Sequence, residues 1–183
     1  MYNVLGLNFG HDGSAAIIRD GKLVCAISNE RLSRQKKAEG VTREMLEYVL
    51  TAAALDLSEI QYVAFSSFYY APDQYVKVLD KNGMPVRSDL LDLPGPETVV
   101  AMAVEIEGRR FPAAFIHHHM AHAASAFYTS PFERAACFTM DARVRRAEAC
   151  PLFAYGEGPR LPSLSCPGRM YANGMAWWRG GGG

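Results

Sequence analysis

The pattern of apolar and polar positions predicts a run of short strands at the start of the chain. Apolar residues cluster or alternate over residues 4–9, 14–19 and 22–28. Asp20-Gly21 separates the second segment from the third, and an Asp-Gly pair between apolar runs favours a hairpin because both turn positions tolerate positive φ. We therefore expect antiparallel strands to open the fold.

Helical and strand-like periods then alternate along the chain. Thr42 is a suitable N-cap for a helix over residues 43–55, whose apolar residues share one face. Pro96 in a first turn favours a helix over residues 96–107, and the alanine-rich residues 120–127 favour another. Further strands are predicted at residues 60–65, 113–116 and 135–140. This order of elements predicts an α/β fold with a mixed sheet.

Other segments lack such a period. Residues 29–40 are polar and basic and are predicted to form a loop, whereas residues 66–96 are aromatic and turn-rich and predict no element. From residue 143 onward, arginine, glycine and proline come at irregular spacing. We therefore predict an N-terminal lobe over residues 1–142, followed by an incomplete or irregular segment over residues 143–183.

Composition narrows the classes of partner. Apolar residues make up 49% and charged residues 21%, which is ordinary for a globular protein. Lys plus Arg and Asp plus Glu each number 19, so no basic excess favours nucleic acid. No apolar run approaches the ~18 residues of a membrane span, and the N-terminus lacks the features of a signal peptide. A cytoplasmic protein is expected.

A histidine cluster is the strongest candidate for chemistry. His118 and His122 are four residues apart, so on a helix they share one face and can hold one metal ion. Asp141 follows a predicted buried strand, where α/β folds commonly place ligand-binding groups. Two imidazoles and a carboxylate suit iron, zinc or manganese. Surface histidines without a function are the alternative that spacing alone leaves open.

A glycine-bearing turn is the second candidate. Its sequence is Gly10-His11-Asp12-Gly13, followed by Ser14. Backbone N–H groups and a small hydroxyl in such a turn suit a phosphate. His11 and Asp12 are candidates for binding or acid–base work, and an ordinary polar turn explains them equally well.

The polar loop supplies a third candidate. Lys36 and Lys37 stand in a basic stretch after a predicted strand. Cations in this position suit an anionic substrate such as a phosphate ester. A solvated, charged loop without a ligand is the alternative.

Three stretches of sequence together carry a family resemblance. The chain opens with VLGLNFGHDGSAAIIRDGKLVCAISNERLSRQKK, which holds the His-Asp turn and a Glu-Arg-x-x-Arg segment. The histidine cluster lies in HHHMAHAASAFYTSPFERAACFTMD, and LFAYGEGPRL follows. In this order they resemble the N-terminal part of the carbamoyltransferases of the nodulation-protein and antibiotic O-carbamoylation type.

The resemblance implies a fold and a reaction. The fold is the first lobe of an acetate kinase, sugar kinase and actin-like domain, which is ribonuclease H-like. The reaction uses ATP and carbamoyl phosphate, passes through carbamoyl-adenylate, and transfers the carbamoyl group to a hydroxyl of a natural product or sugar. The implied metal ligands, usually to iron, are His118, His122 and Asp141. The implied catalytic residues are His11 and Asp12, and the residues expected to bind the substrate or intermediate are Ser14, Lys36 and Lys37.

The resemblance also implies that turnover needs more than these residues. Full-length members add a later ligand aspartate and an adenylate-forming domain, so a separate chain that supplies them is a candidate partner. Related enzymes that share the HxxxH motif are the hydrogenase-maturation carbamoyltransferase and the tRNA threonylcarbamoyl-transfer protein, and the Glu-Arg-x-x-Arg segment favours the leading family over both. The alternative from another class is a non-catalytic metal- or nucleotide-binding lobe, or an inert truncated product.

Overall fold

The computed structural model describes residues 1–66, 76–80, 82–85, 99–139, 152–161 and 163–165. Its helices are α1 (Asn29–Ser33), α2 (Arg43–Ala53) and α3 (His118–Tyr128), with a 3₁₀ turn at Leu57–Glu59. Its strands are β1 (Asn3–Asn8), β2 (Ser14–Arg19), β3 (Lys22–Ser28), β4 (Tyr62–Ser66), β5 (Val76–Leu79), β6 (Val99–Ile106), β7 (Arg109–Ile116), β8 (Arg134–Thr139), β9 (Leu152–Glu157) and β10 (Ser163–Ser165).

Two sheets are formed by these described residues. The larger has the order β3-β2-β1-β4-β7-β6-β5, and the smaller has the order β10-β9-β8. In the larger sheet β2 is antiparallel to β1 and β3, whereas β4 is parallel to β1 and β7 is parallel to β4. The predicted α/β class, with a mixed sheet opened by antiparallel strands, is confirmed. The ribonuclease H-like assignment stays a prediction.

The opening turn forms as its sequence predicts. Asp20 and Gly21 both have positive φ, at 49° and 78°, as a tight hairpin between β2 and β3 requires. β2 and β3 have the bounds that the hydrophobic pattern indicated, and β1 is shifted by one residue.

The first helix with a clear apolar face also begins where predicted. The Thr42 hydroxyl accepts a hydrogen bond from the Met45 amide at 3.2 Å, which satisfies one of the free N–H groups at the start of α2. Met45 and Val49 are fully buried. They belong to the same apolar core as the inward side chains of β1, β4 and β7, so burial of this face holds α2 on the sheet.

The prediction of a helix over residues 96–107 is wrong. Residues 99–106 form β6, and residues 96–98 lie outside the described residues. β6 pairs along its whole length with β7, and its end is fixed by a turn in which Glu107 and Gly108 have φ of 50° and 78°. The valines favour a strand because they pack well on a pleated surface, and this outweighs the helical signal of the proline.

Two smaller expectations are also corrected. Residues 29–40 begin with the short helix α1 rather than being loop throughout. β8 lies in the smaller sheet rather than in the main one. β8 ends before residue 142, β9 begins after it, and the two strands pair with each other. The smaller sheet therefore contains residues from both sides of the predicted domain boundary. The boundary itself stays a prediction.

The length and composition of the helices bear on whether any of them could span a membrane. Across the described ranges, no helix combines the length and apolar character that a membrane span needs.

Candidate functional site

The carboxyl ends of three neighbouring strands define the edge that carries the candidate site. β1, β4 and β7 run parallel in adjacent positions, with Asn8 opposite Ser66 and Phe65 opposite Phe115. The chain leaves β1 into the His11 turn and leaves β7 into α3, which begins at His118. Adjacent strands are ~4.8 Å apart, so these two exits lie roughly 10 Å apart. The structure therefore brings the first two candidate sites to one edge.

Three buried phenylalanines, Phe9, Phe65 and Phe115, pack against one another at this edge. The rings of Phe9 and Phe65 meet edge to face with centroids 6.0 Å apart, and those of Phe65 and Phe115 do so at 5.5 Å. All three rings are buried. Edge-to-face packing fixes ring orientation as well as burying area, so the ends of β1, β4 and β7 are held in register where the site begins.

The histidine cluster opens α3, and its members have different environments. His117 is the N-cap, and its ring nitrogen accepts a hydrogen bond from the His119 amide at 3.3 Å. His119 is buried at 2% exposure, with its Nδ1 2.9 Å from the hydroxyl oxygen of the buried Thr139. His118 is half-buried and His122 is exposed. The cluster is therefore not a set of equivalent surface histidines.

The ring separation of His118 and His122 is compatible with a shared ion. They stand one turn apart on α3, and their ring centroids are 5.7 Å apart with the rings at 81°. Two imidazoles bound to one ion at about 2.0–2.1 Å place their centroids roughly 5–6 Å apart. The spacing of the pair is thus compatible with two ligand positions of a metal site. Asp141, the third predicted ligand, lies outside the described residues.

Within the described residues, no group of three His, Cys, Asp or Glu side chains converges to hold a metal ion. A complete set of three protein ligands is therefore not formed by the described residues alone, which contain the pair His118 and His122. The metal assignment of His118 and His122 therefore stays a prediction.

The first turn is held by its own side chains and by a neighbouring loop. Asn8 accepts a hydrogen bond from the Gly10 amide, and its side-chain amide donates to the carbonyls of His11 and Asp12 at 3.4 and 3.2 Å. Asp12 has a φ of 58°, in the left-handed region that asparagine and aspartate tolerate better than most residues. Asn8 therefore sets the path of the turn that presents His11.

The polar loop packs directly on this turn. The Gly13 amide donates to the Ala38 carbonyl at 2.9 Å, and the Gly40 amide donates to the Gly10 carbonyl at 3.2 Å. A Cβ on Gly13 would overlap the backbone of Gly40. The Gly13 amide is thus engaged by Ala38, and the Gly10 amide by the Asn8 side chain. Both backbone donors are therefore removed from a phosphate-binding role.

The predicted substrate-binding residues surround the turn. Lys36 and Lys37 are exposed and immediately precede Ala38, which contacts Gly13. Ser14 begins β2 and is half-buried between its ladder partners on β1 and β3. These positions place both lysines beside the His11 turn.

His11 and Asp12 form an exposed pair. The Nδ1 of His11 lies 2.8 Å from a carboxylate oxygen of Asp12, and the two side chains are 70% and 53% exposed. An ionised carboxylate can only accept, so Nδ1 donates the hydrogen bond. In the neutral ring this leaves Nε2 as the basic nitrogen, available to accept a proton.

An open cavity elsewhere does not coincide with the candidate site. It has a volume of about 460 Å³ and is lined in the described part of the chain by residues of β6 and β7 together with Asp80. Its β7 residues, Arg110 to Pro112, lie at the opposite end of that strand from His118. None of the predicted site residues lines it.

Sequence reasoning missed the roles of Asn8, His117 and His119. A signal for His119 was present in the helical period, since His119, Ala123 and Phe127 fall four residues apart and are all buried. The contacts of Asn8 depend on how the turn folds back, and no local pattern predicts them.

Comparison with known proteins identifies the family to which the chain belongs. The sequence profile of the family described as Carbamoyltransferase N-terminus matches residues 3–149. The nodulation protein NolNO of Sinorhizobium fredii is 30% identical over 163 residues, which cover 86% of this chain and 23% of that protein. The protein sll1178 of Synechocystis is 30% identical over 159 residues, which cover 77% of this chain and 25% of that protein. The chain belongs to the carbamoyltransferase N-terminus family.

The chain corresponds to only part of the length of its relatives. The chain spans about a quarter of the length of these two curated relatives. Among solved structures, YeaZ from Pseudomonas aeruginosa overlaps with a TM-score of 0.42 at 14% identity, over 94% of this chain and 71% of that one. A second protein, described as similar to peptidase YEAZ, gives 0.38 at 14% identity, over 90% and 64%.

Proposed function

We propose that this chain is the N-terminal lobe of a metal-dependent O-carbamoyltransferase, in which His118 and His122 hold the metal at the carboxyl edge of the sheet. The observation that carries the proposal is the pairing of these rings on α3, beside the exit of β1 that presents His11. Membership of the carbamoyltransferase N-terminus family supports the reaction class. Asp141 is proposed as the third ligand, and iron as the ion.

The edge is suited to transfer of a carbamoyl group to a hydroxyl. A bound divalent ion supplies Lewis-acid polarisation of a carbonyl or phosphoryl oxygen. His11, oriented by Asp12, presents Nε2 to take the proton of the acceptor hydroxyl. Lys36 and Lys37, exposed beside the turn, offset the negative charge of a phosphate-bearing donor.

The wider reaction rests on family membership. We propose carbamoyl phosphate and ATP as the sources of the carbamoyl-adenylate, and a natural product or sugar as the acceptor, in the cytoplasm. The adenylate-forming step is assigned to sequence beyond the quarter of the relatives that this chain matches, on the same or a separate chain. The competing candidate is a lobe that binds metal or nucleotide without catalysis.

Metal analysis of the full chain tests the proposal. After chelation and anaerobic reconstitution with Fe²⁺, elemental analysis should give one ion per chain for the wild type and almost none for His118→Ala or His122→Ala. His11→Ala is the matched control, because it removes a histidine from the same edge that is not a proposed ligand, and it should retain the ion. Equal metal content in wild type and both α3 variants would overturn the metal assignment.

A further inference from the structure

His119 is a buried histidine in a cluster whose other members are half-buried or exposed. Its ring is 2% exposed, while His118 is half-buried and His122 is exposed. Burial of a polar ring is unfavourable unless a partner satisfies it. Thr139 supplies that partner, with its own side chain buried at 9% exposure and its hydroxyl oxygen 2.9 Å from Nδ1 of His119.

This contact joins two different elements. His119 lies in the first turn of α3, and Thr139 is the last residue of β8. A hydrogen bond at this point has a preferred direction, so it restrains the rotation of the helix about its axis in addition to the apolar packing of Met120 and Ala123. The rotation of α3 decides where His118 and His122 point.

The His119 ring also touches a proposed ligand directly. Its centroid is 4.1 Å from that of His118, with an interplanar angle of 40°, and 5.6 Å from that of His117, with the rings nearly parallel. The His118 ring is therefore restrained on one side by a ring that is itself anchored on β8. Groups that contact metal ligands and fix their orientation commonly influence the affinity for the metal as well as the geometry of the ligands.

We infer that His119 is a positioning residue: through its hydrogen bond to Thr139 and its contact with His118, it orients the His118–His122 pair for metal binding. The inference rests on the proposed function and names a residue that acts through others. The geometry of the pair then depends on β8, a strand of the smaller sheet.

Substitutions of Thr139 test this without altering any histidine. Thr139→Val keeps the shape of the side chain and removes the hydroxyl, whereas Thr139→Ser keeps the hydroxyl. Co²⁺ is added to each full-length variant, with affinity measured by calorimetry and ligand geometry by visible absorption. Thr139→Val should weaken Co²⁺ binding about tenfold and change the absorption bands, and Thr139→Ser should stay within about twofold of wild type.

A second pair of variants covers the case in which Thr139→Val does not fold. His119→Asn places an amide near the position of Nδ1 and should retain most of the affinity, whereas His119→Leu should lose it. A Thr139→Val or His119→Leu protein that melts at a lower temperature but binds Co²⁺ with wild-type affinity and spectrum would overturn the inference, because the contact would then be structural only.

His118→Ala separates this inference from the proposed function. If wild type binds Co²⁺, His118→Ala does not, and Thr139→Val matches wild type, then the metal site stands and the positioning role fails. If wild type and His118→Ala bind equally weakly, the metal site itself fails, and the positioning role fails with it.

Discussion

Gly13 joins the turn that presents His11 to the polar loop that ends at Gly40. It lies in the turn that presents His11, and its missing side chain leaves room for the backbone of Gly40 in the polar loop. Its φ is not in the left-handed region, so the requirement at this position is for space rather than for conformational freedom. Gly21 has the opposite requirement, with a φ of 78° and open space around it.

Substitution of the two glycines should therefore have unequal effects. Gly13→Ala forces backbone against backbone, and we expect it to lower the free energy of unfolding by about 3 kcal/mol or more, because neither segment can move without breaking hydrogen bonds. Gly21→Ala should cost about 1 kcal/mol, the cost of a left-handed alanine. Urea unfolding of the two variants measures both values, and equal losses would contradict the close approach of Gly13 and Gly40.

His119 shows why the role of a site residue can escape sequence reasoning. The spacing of His118 and His122 was enough to predict that their rings share a helix face, and their centroids are 5.7 Å apart. The helical period marks His119 as buried, but its hydrogen bond to Thr139 joins residues 20 positions apart in the chain, and no local pattern predicts that partner. Local patterns report which face a residue occupies, whereas the partner of a buried polar group depends on tertiary packing.

At the scale of elements, α2 offers a direct test of a predicted helix start. The Thr42 hydroxyl caps the Met45 amide. Thr42→Ala should reduce the free energy of unfolding by about 1 kcal/mol, and Thr42→Ser should leave it within a few tenths of wild type, because serine caps as well as threonine. Denaturant unfolding of both variants provides the measurement. An alanine variant as stable as the serine variant would mean that the cap contributes nothing to folding.

The hairpin of β6 and β7 shows where sequence reasoning about elements fails. The hydrophobic pattern predicted a strand from residue 113, but β7 begins at Arg109 and pairs with β6 from there. Glu107-Gly108 adopts the same pair of positive φ values as Asp20-Gly21. The Asp-Gly turn was found because aspartate favours such turns, whereas glutamate does not mark a turn in the sequence. Pairing of β6 with β7, rather than the local preference of glutamate, sets the conformation at Glu107.

At the scale of the whole molecule, strand order explains how distant residues come to share one edge. The His11 turn and α3 are more than 100 residues apart in the chain, yet parallel pairing through β4 places their strands two positions apart. The sequence predicted the separate motifs and the mixed sheet. It could not predict the order of strands in that sheet from periodicity, because the hydrophobic pattern shows which strands are buried and not which are neighbours.

The smaller sheet supplies the surface on which α3 packs. α3 packs on β8 and β9 through Met120, Ala123 and Ala154, apart from the apolar core that holds α2. The proposed metal pair therefore stands at the junction of two packing units. Its position relative to His11 depends on the main sheet, and its orientation depends on the smaller one.

The central claim is that the His11 turn and the His118–His122 pair form one site, and paramagnetic NMR tests it most directly. With ¹⁵N-histidine labelling of the full chain, addition of one equivalent of Co²⁺ should broaden or shift the His11 ring signals together with those of α3, because the two exits lie roughly 10 Å apart across the sheet. The effect on His11 should disappear in His118→Ala, which keeps the turn and loses the ion. His11 signals that stay unchanged while His118 and His122 respond to Co²⁺ would contradict a shared site.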